Sequence, residues 1–188
     1  HARSDFHPTE LLDWTNEVNK VGRLAEILIV DDDLDVVSYR LQEFSPRGEA
    51  DQKKLALGDS IPLVDRSSFA LLESEHKLPS YLGGYVIDEN QHQQIKKSKA
   101  TVYQDLIDRG LFVRSGFKYG VRWRAYVNSD FSDHAPWLIS QPDSSPTDWI
   151  SACQGSRLAS GVGKTMLIPV IQKNVRYLGV LRPPSDSR

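Results

Sequence analysis

The alternation of apolar and polar positions divides the chain into a series of expected elements. Pro8-Thr9-Glu10 has the form of a helix start, and Leu11, Trp14 and Val18 then recur at helical spacing, so residues 1–25 read as a helical lead-in. Two apolar runs, 27–30 and 36–41, flank Asp31-Asp32-Asp33-Leu34-Asp35, a pattern that predicts a β-hairpin with an acidic turn. Residues 45–65 are polar and punctuated by Pro46, Gly48, Gly58 and Pro62, which predicts loop, and 67–72 has the pattern of a short helix. A stripe of Ile95, Val102, Leu106 and Ile107 predicts a helix over 91–109, stopped by Gly110. Strand-like runs follow at 111–114, 122–127, 137–140, 166–171 and 177–181, with helical turns over 148–162.

The expected class is therefore α/β (α+β). It comprises the lead-in, a small N-terminal α/β domain over 26–95, and a mainly β C-terminal domain with flanking helices over 96–188, the boundary lying within 85–100. No internal repeat or low-complexity tract is recognisable in the sequence.

With 188 residues, 39% of them hydrophobic, the chain can bury one good core or two small ones. No apolar run approaches the roughly 18 residues of a membrane-spanning helix, and the N-terminus lacks a basic-then-apolar signal. The expectation is a soluble, cytoplasmic protein with no membrane partner. A single cysteine, Cys153, excludes an internal disulfide framework and a Cys-rich zinc module. The chain opens on His1, as a processed product or a piece of a longer fused polypeptide would. The net charge of −2 conceals a division: residues 1–94 carry 9 Lys/Arg against 18 Asp/Glu, and residues 95–188 carry 14 against 7. A basic half suggests a polyanion as partner, and complementary self-association is the other reading; charge alone leaves both open.

Several familiar motifs fail on inspection. The acidic turn is not an EF-hand loop, because Val36 and Gln42 stand where the glycine and the bidentate glutamate would be needed. Gly161-Val162-Gly163-Lys164-Thr165 ends like a phosphate-binding P-loop, but Leu158 occupies the position of its first glycine and no strand precedes it. Gly-x-Ser-x-Gly and His-Glu-x-x-His are both absent, and five scattered histidines build no metal site; no cofactor is expected. What remains in the basic half is Tyr126 at the end of a strand, His134 in Asp133-His134-Ala135-Pro136-Trp137, and Lys164 opening a strand. Taken singly, such residues are more often packed, capping or solvated than catalytic.

Their surroundings are more specific. Tyr103-x-Asp105-Leu106-x-x-Arg109-Gly110, Val113-Arg114-Ser115-Gly116-Phe117-Lys118-Tyr119-Gly120, His134-Ala135-Pro136, Arg157-Leu158-Ala159 and Lys164 together resemble the catalytic domain of the archaeal tRNA-splicing endonuclease family over about 80 residues. The resemblance implies that Tyr126 is the general base, with Tyr119 shaping the turn, and that His134 and Lys164 complete the catalytic set. It further implies that Arg157 packs on a splayed RNA base; Arg176 and Arg182 are further RNA-binding candidates. The implied substrate is precursor tRNA with a bulge-helix-bulge at each exon–intron junction, cut without a metal to leave a 2′,3′-cyclic phosphate and a 5′-hydroxyl.

The chemistry suits these side chains. Histidine donates a proton as imidazolium near neutrality, lysine is a fixed cation for charge growing on phosphate oxygens, and a tyrosine acts as base where nearby cations favour its phenolate. Two scissile junctions call for an assembly, implied by the resemblance to be a homo- or hetero-oligomer of related endonuclease subunits. The resemblance further implies that Asp143 and Asp148 lie in the place of the acidic loop that family members insert into a partner's basic pocket. The final strand, with Tyr177, Leu178, Val180 and Leu181, is expected to pair across a two-fold axis. The alternative function is a noncatalytic RNA-binding or structural subunit of the same assembly.

Overall fold

A computed structural model describes residues 1–49, 102–128, 134–142 and 145–182, together with the short strands at 63–64, 80–81 and 84–86. The lead-in is helix α1, Pro8–Lys20, with proline in its first turn, where a missing N–H costs nothing. Its inward face carries Leu12 and Thr15, with Leu11 and Val18 partly covered, and the Thr15 hydroxyl donates to the Leu11 carbonyl. Trp14, expected on that face, is instead exposed.

The predicted hairpin forms as β1, Ala25–Val30, and β2, Val36–Phe44, in a register that sets Val30 opposite Val36. Its acidic turn is organised by Asp31, whose carboxylate accepts from the N–H groups of Asp33 and Asp35, while Asp32 meets the side chains of His1 and Arg3.

β1 and β2 do not belong to a separate sheet. They join β6 (Phe112–Ser115), β7 (Trp123–Tyr126), β8 (Trp137–Ile139), β9 (Thr165–Ile171) and β10 (Val175–Leu181) in one seven-stranded sheet of order β1-β2-β10-β9-β8-β7-β6. The intervening strands β3 (Leu63–Val64), β4 (Ser80–Tyr81) and β5 (Gly84–Val86) make a three-stranded sheet of order β3-β5-β4. Residues 26–44, expected in the N-terminal domain, are thus hydrogen-bonded into the C-terminal sheet; the helix at 67–72 and the expected boundary region beyond Val86 fall outside the described residues. Helix α2, Val102–Asp108, is the described part of the helix predicted over 91–109, and Gly110 ends it at φ +77°.

Both faces of the sheet are covered. Leu12, Ile29, Tyr39, Leu41, Trp149, Ile168, Leu178 and Val180 form the core on one face; Val102, Leu106, Val113, Trp123, Ile139, Leu167, Val175 and Tyr177 form it on the other. For β10 the expectation holds only within the chain: its apolar residues face both ways because it is an interior strand, with β2 on one edge and β9 on the other, so neither edge is open to pair with a second chain. Gly179 leaves room for the Phe44 ring, which a Cβ there would meet. Among the described strands only β8 and β9 run parallel to each other, and the crossover between them includes helix α3, Trp149–Gly161.

The structure also reveals a repeat that the sequence hides. Helix α1 and helix α3 each have 13 residues and begin 141 positions apart; both end at a valine C-cap, Val21 or Val162, followed by a glycine at φ +73° or +66°. The closing hydrogen bonds recur at the same interval: Gly22 N–H to Asn19 O and Gly163 N–H to Ser160 O, then Arg23 N–H to Val18 O and Lys164 N–H to Ala159 O. Each helix leads into an antiparallel pair, β1-β2 or β9-β10, whose turn is two residues shorter in the second copy. Equivalent residues then face one another across the join: Phe6 N–H donates to Thr147 O at 2.8 Å, and Leu41 pairs with Val180. This is the pairing a local two-fold axis produces.

Candidate active site

β6 and β7 are joined by a 3₁₀ turn over Phe117–Tyr119 that closes on Gly120 at φ +69°. The register that follows sends Trp123 and Ala125 into the core and leaves Arg124 and Tyr126 on the other face. Tyr126 ends β7 almost wholly buried, with the Arg124 guanidinium 5.6 Å from its ring centroid. Just beyond, Glu49 N–H donates to Val127 O at 2.7 Å, so the segment after β2 reaches the end of this strand. Tyr126, Val127, Asn128, His134 and Pro136 line one cleft of about 280 Å³. His134 is exposed, and Tyr126 forms part of the buried wall.

Lys164 reaches the same loop from the opposite side. After α3, Gly163 in the left-handed region turns the chain into β9 and directs the lysine inward, where it is 7% exposed. Its Nζ donates to the Ala135 carbonyl at 2.9 Å, and the neighbouring Thr165 N–H donates to Pro136 O. The residues that follow His134 are therefore tied to the start of β9 by two hydrogen bonds, one from the Lys164 side chain and one from the Thr165 main chain. An ammonium has three donors, and among the described residues no carboxylate pairs with Lys164. A buried cation held in this way favours an anion nearby. The order helix, glycine, lysine, strand is the reverse of a P-loop, in agreement with the sequence argument.

Tyr119 was expected only to shape the turn. Its ring also stands 5.6 Å from the Lys164 Nζ and 4.9 Å from that of Lys118, a contact for which aromatic-to-lysine distance in sequence gave no signal.

The arginines separate clearly. Arg157 is exposed on α3, seven residues before Lys164 in sequence, and its Nε donates to the Tyr39 hydroxyl at 2.9 Å. Arg176 is tied to both oxygens of Glu43, at 2.9 and 3.1 Å, and to Asp13 at 2.8 Å. This network raises the arginine pKa further and holds the Glu43 carboxyl below its ordinary range, chiefly through the hydrogen bond between them. Arg176 is thereby committed to carboxylates of its own chain and is not presented to a nucleic acid. Arg182 is exposed just after β10.

The assembly candidates have intrachain duties. Asp148 is the N-cap of α3 and accepts from Ser151 N–H at 2.7 Å, a bond that lowers its pKa. Asp143 lies outside the described residues. Tyr177 is fully buried and donates to Asp105, which also binds Arg109; Arg109 in turn donates to Val175 O and lies over the Tyr177 ring. Burial, then Asp105, drives the Tyr177 pKa far up. The Tyr103-to-Gly110 motif thus packs α2 on the sheet, and Leu178 and Val180 are core residues as well. Among the described residues no cluster of three His, Cys, Asp or Glu is placed to hold a metal ion, and no helix is long and apolar enough to cross a membrane.

Residues 97–177 match the family described as tRNA intron endonuclease, catalytic C-terminal domain. Similar proteins named tRNA-splicing endonuclease include one from Picrophilus torridus, 28% identical over 82% of this chain and 55% of the relative, and one from Thermoplasma volcanium, 26% identical over 81% and 53%. One from Pyrococcus furiosus is 30% identical over 68% of this chain and 74% of the relative. The chain spans about half the length of the first two.

Proposed function

Because the chain belongs to the tRNA-splicing endonuclease family, we propose that it cuts precursor tRNA at exon–intron junctions by metal-independent transesterification. Tyr126 takes the proton of the ribose 2′-OH, and the 2′-oxygen attacks the adjacent phosphorus. The bond to the 5′-oxygen breaks as His134, in its imidazolium form, protonates that oxygen. The products are a 2′,3′-cyclic phosphate and a 5′-hydroxyl. Lys164 and Arg124 supply positive charge where the nonbridging oxygens become most negative, and the anchorage of Lys164 on Ala135 spares the cation reorganisation during the reaction.

The observation that supports this reading is the cleft shared by Tyr126 and His134, with Lys164 bound to the residue after the histidine. A buried phenol facing an exposed imidazole is the arrangement in which one group deprotonates a nucleophile and the other, open to solvent, protonates a leaving group. Substrate choice follows shape: unpaired bases of a bulge-helix-bulge stack on the Arg157 plane. Two junctions engage two such sites, supplied in the cytoplasm by association with related endonuclease subunits, and the loop bearing Asp143 and Asp148 contributes to that contact.

Incubation of a bulge-helix-bulge RNA with the protein in excess EDTA, followed by analysis of the 3′ ends, tests the reading. Cyclic phosphate ends are expected. A 3′-hydroxyl, or loss of cutting on chelation, contradicts it; RNA binding with no cutting under any condition indicates the noncatalytic subunit instead.

A further inference from the structure

Arg157 belongs to the second copy of the repeat, but it is held by the first. Its Nε donates to the phenolic oxygen of Tyr39, which projects from β2 across the join between the two copies. Tyr39 has no exposed surface; its ring sits in the core with Leu41, Trp149 and Ile168, and its hydroxyl also bonds the Cys153 thiol. The acceptor is therefore fixed in space by packing. A guanidinium gripped at Nε cannot turn freely about its last bonds, and the edge formed by its two terminal nitrogens is left for other partners. Among the described residues no carboxylate pairs with Arg157, in contrast to Arg176, whose terminal nitrogens are both taken.

The repeat shows that this pair is not required to build the join. Shifted by the repeat interval, Arg157 corresponds to Asn16, and Tyr39 corresponds to Leu178 once the turn that is two residues shorter in the second hairpin is allowed for. Leu178 fills the same core with no hydroxyl. A buried hydroxyl is costly unless it is satisfied, so its presence on one side of the local axis alone calls for a use confined to that side. That side is the one whose helix leads into Lys164.

We propose that Tyr39 is a positioning residue for RNA recognition: it fixes the plane of the Arg157 guanidinium so that an unpaired base stacks on a surface already oriented. This rests on the reading of Arg157 as an RNA contact. Ordering the arginine before binding removes part of the conformational cost of forming the complex, and the benefit falls on substrate binding rather than on the chemical step.

The test compares Tyr39→Phe, Arg157→Ala and the double variant on a bulge-helix-bulge RNA, with kcat and KM measured separately. Tyr39→Phe keeps the ring and removes only the acceptor, so KM should rise about 3- to 10-fold with kcat nearly unchanged. In the Arg157→Ala background the same change should have no further effect. If Arg157→Ala raises KM and Tyr39→Phe does not, or if the two effects multiply independently, the positioning role is overturned while the RNA contact stands. If Arg157→Ala leaves KM unchanged, the RNA contact itself fails, and the proposal with it. A measurement on the unaltered protein covers the case in which Tyr39→Phe does not fold: the Arg157 Nε–H should exchange slowly with water before RNA is added, and fast exchange would overturn the proposal.

Discussion

The ammonium of Lys164 is fastened to the main-chain carbonyl of Ala135, the residue that follows His134. Position and charge at the site are thus coupled: the group proposed to stabilise the phosphate also holds the loop that carries the proposed proton donor. Lys164→Met keeps most of the side-chain volume but removes both the charge and this bond. The cleavage rate should fall about 10²- to 10³-fold, as for loss of one transition-state donor. The melting temperature should change little, because a buried cation without a carboxylate partner contributes little net stability. Rate and circular-dichroism melting, measured on the same preparation, check this; a rate loss that merely follows unfolding contradicts it.

His134 is exposed and lies beside the cleft rather than in the core, so its replacement should leave the fold intact. His134→Ala should lower the cleavage rate about 10²- to 10⁴-fold, the range for removing a general acid, with RNA affinity nearly unchanged. Filter binding beside single-turnover cleavage separates the two. An equal loss in affinity would identify a binding residue.

How much of this was legible beforehand differs from element to element. The strands at 112–115, 123–126, 137–139, 165–171 and 175–181 followed from local apolar runs, and the helix at 149–161 from the residues between them. The partners of those strands did not follow. β10 is apolar on both faces, a pattern shared by an interior strand and by one awaiting a partner across an interface, and only the pairing with β2 distinguishes them. The repeat was hidden because burial, not identity, is what it preserves: Leu12 corresponds to Cys153, Thr15 to Ser156 and Val18 to Ala159, and the hairpin turns differ in length. At the site, Tyr126, His134 and Lys164 were readable from motifs as candidates, and the structure brings them around one loop. The commitment of Arg176 to Glu43 and Asp13 was not, because its partners lie 133 and 163 residues away.

The Glu43–Arg176 pair gives stability a predictable pH dependence. The Glu43 carboxyl has a lowered pKa in the folded chain, so its contribution is present above the ordinary value of 4.5 and is lost as pH falls through the folded value. Glu43→Gln should therefore reduce stability by about 1 kcal/mol near neutral pH, and parent and variant should converge as the solution becomes more acidic than pH 4.5. Urea titrations at several pH values check the convergence. A difference that persists unchanged into acid would show that packing, and not the ion pair, is at stake.

Asp148 joins two possible roles that one pair of substitutions separates. Asparagine is as good an N-cap as aspartate, so Asp148→Asn should melt close to the parent, whereas Asp148→Ala should melt lower. If the loop also contacts a related subunit, Asp143→Asn combined with Asp148→Asn should weaken association at unchanged melting temperature, and high salt should weaken the parent in the same direction. Sedimentation across a dilution series reads the outcome. Identical profiles for parent and double variant would leave Asp148 with its capping role alone.

In the proposed reaction the substrate's own 2′-oxygen is the nucleophile, activated by Tyr126 beside His134 and Lys164. A bulge-helix-bulge RNA carrying one 2′-deoxynucleotide immediately 5′ of a single scissile phosphate tests it most directly. The account predicts that the substituted junction stays uncut while the other junction of the same molecule is cleaved and affinity is unchanged; cleavage at the deoxy position at the ordinary rate would contradict it.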